Sequence, residues 1–109
     1  MNKLKFYFTD GHSVDIELDP IVRFSVQEDL ATDELVIALT QKTAFETDAL
    51  KNLWDNMKIN KISAKNINKI QCFINENLMK ESEKAIESIN YLIDYNGEQY
   101  SEKINIIFY

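Results

Sequence analysis

His12 and Cys72 are the only imidazole and the only thiol in the chain, so a cysteine–histidine nucleophile pair would have to be built from these two. His12 falls in an Asp10-Gly11-His12 hairpin loop, and Cys72 stands beside Phe73 and Ile74 in an apolar-periodic segment. A turn histidine and a packed small thiol explain both residues more simply than an activated nucleophile, because cysteine is among the residue types most often buried. A zinc site needs several Cys or His ligands at short spacing, and these two are far apart in the chain. Asp29, Asp33 and Glu34 lack the glycine and the alternating ligand spacing of a calcium loop. Gly11 and Gly97 are the only glycines, so no glycine-rich phosphate loop can be written. No pattern marks a cleft that would raise the pKa of one of a pair of carboxylates. The chain is therefore not expected to be an enzyme, and neither a cofactor nor a metal is expected.

Charge carries the strongest functional signal. The net charge is −6, and it is unevenly spread. Between Asp10 and Glu34 eight acids face Arg23 alone. Of these, Asp15, Glu17, Asp19, Glu28, Asp29, Asp33 and Glu34 are the candidate partner-binding residues, since an acidic lobe repels itself and steers a positively charged partner. Lys58, Lys61, Lys65 and Lys69 run without an intervening acid. Their spacing would align them on one helix face, which reads as a solvated face rather than an anion site. Trp54 and Tyr91 are the aromatics suited to an interface, although Trp54 falls on an apolar helical stripe and reads as core.

The acidic balance argues against direct nucleic-acid binding and for a protein partner with a basic surface. Leu35 to Leu39 is the longest strictly apolar run, too short for a membrane span, so no membrane partner is expected. Cys72 cannot form an internal disulfide, and Phe6 to Phe8 is too short for a signal-peptide core. These features point to the cytoplasm, the host's if the chain is phage-encoded. The richness in Lys, Asn and Ile is what AT-rich coding DNA of a low-GC bacterium or its phage would give.

The elements that must position these residues read as one α+β domain over residues 1–109, roughly 65% of whose unfolded surface folding would bury. An N-terminal β-hairpin with the loop Asp10-Gly11-His12 pairs Phe8 with Val14, Phe6 with Ile16 and Leu4 with Leu18 on one face. From Ile21 to Asn96 there is no glycine or proline, which permits long helices or uninterrupted strands. Ser25 to Glu28 matches a capping box and opens a short helix, and Leu35 to Thr40 reads as a buried strand. Thr43 to Glu46 is a second capping box. Behind it Phe45, Ala49, Leu50, Leu53, Trp54 and Met57 predict a helix from Ala44 to Lys58. Ile67, Ile70, Ile74 and Leu78, with Ser63 as N-cap, predict a second central helix through Met79. Ala85 to Tyr95 carries both periods. It is read as a strand that pairs Ile93 with Tyr100 and Ile89 with Ile104 around an Asn96-Gly97 turn, in a C-terminal hairpin of a mostly antiparallel sheet. Ile104 to Tyr109 reads as a central strand covered on both faces. No sequence repeat is found.

The expectation is a small acidic protein-binding module, in its narrower form a phage-type, anti-defence inhibitor that mimics nucleic acid against a basic nucleic-acid-binding protein. The alternative is a structural or accessory subunit of a phage tail or capsid, which would self-associate through its last strand.

Overall fold

Eight strands and one helix make up the described residues of this computed structural model, which are 2–41, 48–96 and 99–109, with backbone alone described at 94–96, 99 and 100. In chain order they are β1 (Asn2–Phe8), β2 (Ser13–Leu18), β3 (Arg23–Asp29), β4 (Glu34–Gln41), α1 (Ala49–Ile59), β5 (Ile67–Ile74), β6 (Asn77–Ser82), β7 (Ile86–Asn96) and β8 (Gln99–Phe108). The expected α+β domain with two central helices is thereby overturned in favour of a mostly β fold with one short helix.

The second expected helix is the hairpin β5–β6. Its helix-like spacing comes from a bulge: Tyr7 pairs with Lys69 but Phe8 pairs with Ile67, so Asn68 is an extra residue. Ile67 and Ile70 then both point inward although they are three positions apart. The turn was hidden as well. Asn75 and Glu76, at φ 48° and 69°, form a two-residue turn of the I′ kind with no glycine. The expected helix at Ser25 to Glu28 is strand β3, where Phe24 and Val26 alternate with exposed Ser25 and Gln27. The Thr43–Glu46 capping box and Phe45 lie outside the described residues, as do Gly97 and Glu98.

Both terminal hairpins are present, each shifted by two residues in register, although Ile93, expected in an apolar pair, is 47% exposed opposite Glu102. Phe6 pairs with Val14 and Leu4 with Ile16, because the first loop is Thr9-Asp10-Gly11, closed by Phe8 N–H donating to the His12 carbonyl at 2.9 Å. Gly11 sits at φ 98°, a conformation the loop requires and L side chains rarely adopt. In the last hairpin Ile89 pairs with Ile106 and Tyr91 with Ile104. A shift of two keeps every residue on its face, whereas a shift of one would have inverted the strands.

The strands form two antiparallel sheets of order β2-β1-β5-β6 and β3-β4-β8-β7, called here the β1 sheet and the β8 sheet. Their inner faces share one apolar cluster. Leu4, Phe6, Ile70 and Cys72 from the first meet Ile37, Leu39, Ile104, Ile106 and Phe108 from the second, in the manner of a β-sandwich. Helix α1 packs on β2, β4 and β8 and so touches both sheets. It buries Ala49, Leu50, Leu53 and Met57. It ends in a Schellman motif, with Ile62 N–H donating to the Met57 carbonyl, Lys61 N–H to Lys58, and Lys61 at φ 57° where glycine is usual.

This topology has a repeat that the sequence does not show. Exchanging β1–β4 with β5–β8 leaves both strand orders unchanged, so the chain is two four-stranded halves related by a pseudo-two-fold, joined through the segment that carries α1. Each half supplies one hairpin to each sheet.

Candidate functional site

The seven candidate acids do not lie together. Asp15 and Glu17 are on the outer face of β2, directly opposite Lys5 and Lys3, and Asp15 is ion-paired with Lys3 at 3.4 Å. Asp19 serves its own turn, its Oδ1 accepting from Ile21 N–H at 3.0 Å. The other four, Glu28, Asp29, Asp33 and Glu34, gather at the β3–β4 hairpin end.

Two of those four are already neutralised. Glu28 faces inward at the edge of the β8 sheet and meets Lys80, which faces inward at the edge of the β1 sheet, so the pair ties one sheet to the other. The hydrogen bond from Lys80 holds the Glu28 carboxyl below its ordinary pKa. Asp33 takes Lys84 Nζ at 2.7 Å on its carboxylate and 3.0 Å on its carbonyl. That leaves Asp29, whose Oδ1 caps Ala31 N–H at 2.9 Å, and Glu34, with no cation beside either among the described residues. Both lie on the outer face of the β8 sheet.

Around them is a shallow concavity of about 620 Å³ lined by Gln27, Glu28, Asp29, Leu30, Ala31, Glu34 and Val36. Leu30 is 92% exposed, the most exposed large apolar side chain described. The sequence marked the acids but not Leu30, whose only signal was an aliphatic residue placed between two acid pairs.

The residues considered for catalysis are kept apart by the fold. Cys72 is 1% exposed opposite Leu4 on the inner face, and burial pushes its thiol up to about 11. His12 stacks on Phe8 at 4.0 Å at the other end of β1, about 13 Å from Leu4 at about 3.3 Å per residue. Asp10 accepts from the His12 backbone N–H at 3.0 Å and lies against its Nδ1, and these bonds hold the Asp10 carboxyl below its ordinary pKa. A second concavity of about 250 Å³ borders His12 together with Lys61 and Asn66. No group of three or more Cys, His, Asp or Glu stands together as a metal cluster among the described residues.

The four lysines do not share a helix face. Lys58 lies over the Trp54 ring at 5.6 Å, Lys61 and Lys65 are in the turns after α1, and Lys69 on β5 pairs with Glu81 at 2.9 Å. Trp54 is half-buried and stacks on Tyr91 at 5.8 Å, placing both expected interface aromatics at the helix–sheet junction. Sequence reasoning missed the polar group beneath them. Gln41 and Glu102 pair across β4 and β8, both buried; Gln41 Oε1 caps Leu50 N–H at 3.0 Å, and Tyr91 donates to Glu102 at 2.7 Å. Their signal was parity, since both continue the inward alternation of Leu35, Ile37 and Leu39 and of Ile104 and Ile106.

No helix among the described residues is long and apolar enough to cross a membrane. Comparison with protein-family models, with curated proteins and with solved structures finds no match.

Proposed function

We propose that the chain is a protein-binding module whose acidic β3–β4 hairpin end receives a basic segment of another protein. One observation carries the reading: Leu30, 92% exposed, lines the same concavity as Asp29 and Glu34. Acids that serve only solubility have no use for an exposed aliphatic side chain among them, whereas an apolar anchor ringed by charge is how a small interface gains both affinity and a fast encounter. In its narrower form the module is an inhibitor that holds a nucleic-acid-binding surface closed by mimicking the negative charge of its ligand. The overall charge of −6 supports that form.

The test is fluorescence anisotropy with a labelled arginine-rich peptide carrying one leucine. Binding should weaken with added salt, fall about tenfold or more in Asp29→Asn/Glu34→Gln, and weaken again in Leu30→Ser, with circular dichroism unchanged. A peptide that binds the folded double variant as well as the parent removes the hairpin end from consideration.

A further inference from the structure

The outer face of the β8 sheet differs from that of the β1 sheet in the charges left without an ion pair among the described residues. Strand register arranges it in four rows. At the hairpin end are Asp29 and Glu34. Next come Gln27, Val36, Ile107 and Ser88, then Ser25, Ala38, Asn105 and Asn90, and at the far end Arg23, Thr40, Lys103 and Leu92. Arg23, Glu34 and Lys103 make no ion pair or side-chain hydrogen bond among the described residues. The face is therefore acidic at one end, basic at the other, and between them carries uncharged residues, with Val36 and Ile107 half-buried and Ala38 buried at 8% exposure.

We propose that this face binds a second copy of the chain about a two-fold axis running across the strands. Such an axis lays each row on the row equally far from the centre. Asp29 of one copy then faces Arg23 of the other and Glu34 lies one strand from Lys103, twice over, and Val36 and Ile107 face the uncharged row of Ser25, Ala38, Asn105 and Asn90. The complementarity is specific to this axis. An axis along the strands would set acid on acid and base on base, which costs rather than stabilises. It also explains Ile107, an aliphatic residue on the outward face of a central strand, where the last strand was expected to be covered on both sides.

Four strands about 4.8 Å apart and rows spanning about 20 Å give roughly 400 Å² of face per copy, about half of the roughly 800 Å² per partner of a stable interface. The dimer is accordingly a weak one, with dissociation in the micromolar to millimolar range. The inference rests on the acidic end being a docking surface but names the chain's own basic row as its occupant.

Sedimentation equilibrium of the full chain from micromolar to millimolar concentration tests it, with two variants that circular dichroism shows to be folded. Arg23→Glu/Lys103→Glu makes the face wholly acidic and Asp29→Lys/Glu34→Lys wholly basic. Each alone should dissociate at least about tenfold more readily than the parent, while their equimolar mixture restores both charge contacts and should dimerise at least as well as the parent. Ala38→Arg, at the centre, should abolish the dimer. A parent that stays monomeric throughout, a dimer indifferent to these changes, or a mixture that gains nothing overturns the proposal. Because this reads self-association alone, its failure leaves the peptide measurement standing, and failure of the peptide to bind leaves the dimer to be judged by sedimentation.

Discussion

The two outer sheet faces are built from the same strand geometry and have opposite economies. On the β1 sheet, Tyr7 donates to Gln71 at 2.8 Å, Gln71 donates to Glu81 at 2.6 Å, and Lys69 pairs with Glu81 at 2.9 Å and Glu83 at 3.7 Å. Lys3 lies over Phe73 and Lys5 and Lys69 over Tyr7. Most of its donors and acceptors answer one another within the chain, Glu17 being an acid there with no ion pair among the described residues. On the β8 sheet Arg23, Lys103 and Glu34 make no ion pair among the described residues, and Asp29 only caps the Ala31 N–H of its own hairpin. Charge alone does not mark a binding face; what marks it is charge that the fold does not itself consume.

The contrast concerns outer faces only, so changes to the shared inner face should not respect it. Phe6→Ala on β1 and Phe108→Ala on β8, both fully buried, should each cost about 3 to 5 kcal/mol by denaturant unfolding in a single transition. If either loss leaves one set of core signals intact, the sheets are separate folding units and comparing their faces means little. Next in size is the turn at the end of the β1 sheet. Glu76 holds φ 69° at a cost that glycine would not meet, so Glu76→Gly should stabilise the fold by about 1 kcal/mol. A loss of stability would show that Glu76 contributes to the network in a way its geometry does not reveal.

Smaller effects sharpen the comparison itself. Gln71→Ala removes the link between Tyr7 and Glu81 and should cost about 1 kcal/mol, whereas Glu34→Gln on the other face should stay within about 0.5 kcal/mol of the parent. Equal effects would erase the distinction. Last is acid sensitivity. Hydrogen bonds from Lys69 and Gln71 hold the Glu81 carboxyl below its ordinary pKa. Its stabilisation is therefore complete above about pH 4.3, the unfolded value, and is lost as pH falls through the lower folded value. Glu81→Gln should accordingly narrow the drop in Tm between neutral and acid pH. Lys69, raised by the same hydrogen bond, stabilises below about pH 10.4 and loses that contribution as pH rises through its folded value. A parent-like acid profile in Glu81→Gln would mean that solvent screens the network away.

What was legible in the sequence follows from how each element encodes itself. Inner faces of β1 and β2 are readable from alternation, β4 and the end of β8 from short apolar runs that mark a strand but not its faces, and the stripe Leu50, Leu53, Met57 announces α1. Registers are not, because a loop that starts one residue earlier or later moves a pairing by two while leaving every face unchanged. The β5–β6 hairpin was misread because a bulge at Asn68 copies helical spacing and because Asp33, Lys61, Asn75 and Glu76 adopt the left-handed backbone usually given to glycine. The absence of glycine from the middle reads as permission for long elements, whereas in the fold other residues assume its role. The acidic residues were visible singly. Their division between two sheets depended on pairing, and their partial neutralisation depended on Lys80 and Lys84, distant in sequence.

The pseudo-two-fold arrangement also sets how the chain must reach its fold. The ladders at the centre of each sheet, β1 with β5 and β4 with β8, join opposite halves, as Lys5 with Gln71 and Ala38 with Asn105. Neither half contains a complete sheet, and the four hairpins that form locally each leave a long edge unpaired. The entropy of closing the connection between the halves is therefore lost before any central pairing compensates it, which places folding in the slow regime of non-local β topologies, about milliseconds to seconds. Shortening or stiffening that connection would act on the rate of folding before it acted on the β3–β4 hairpin end.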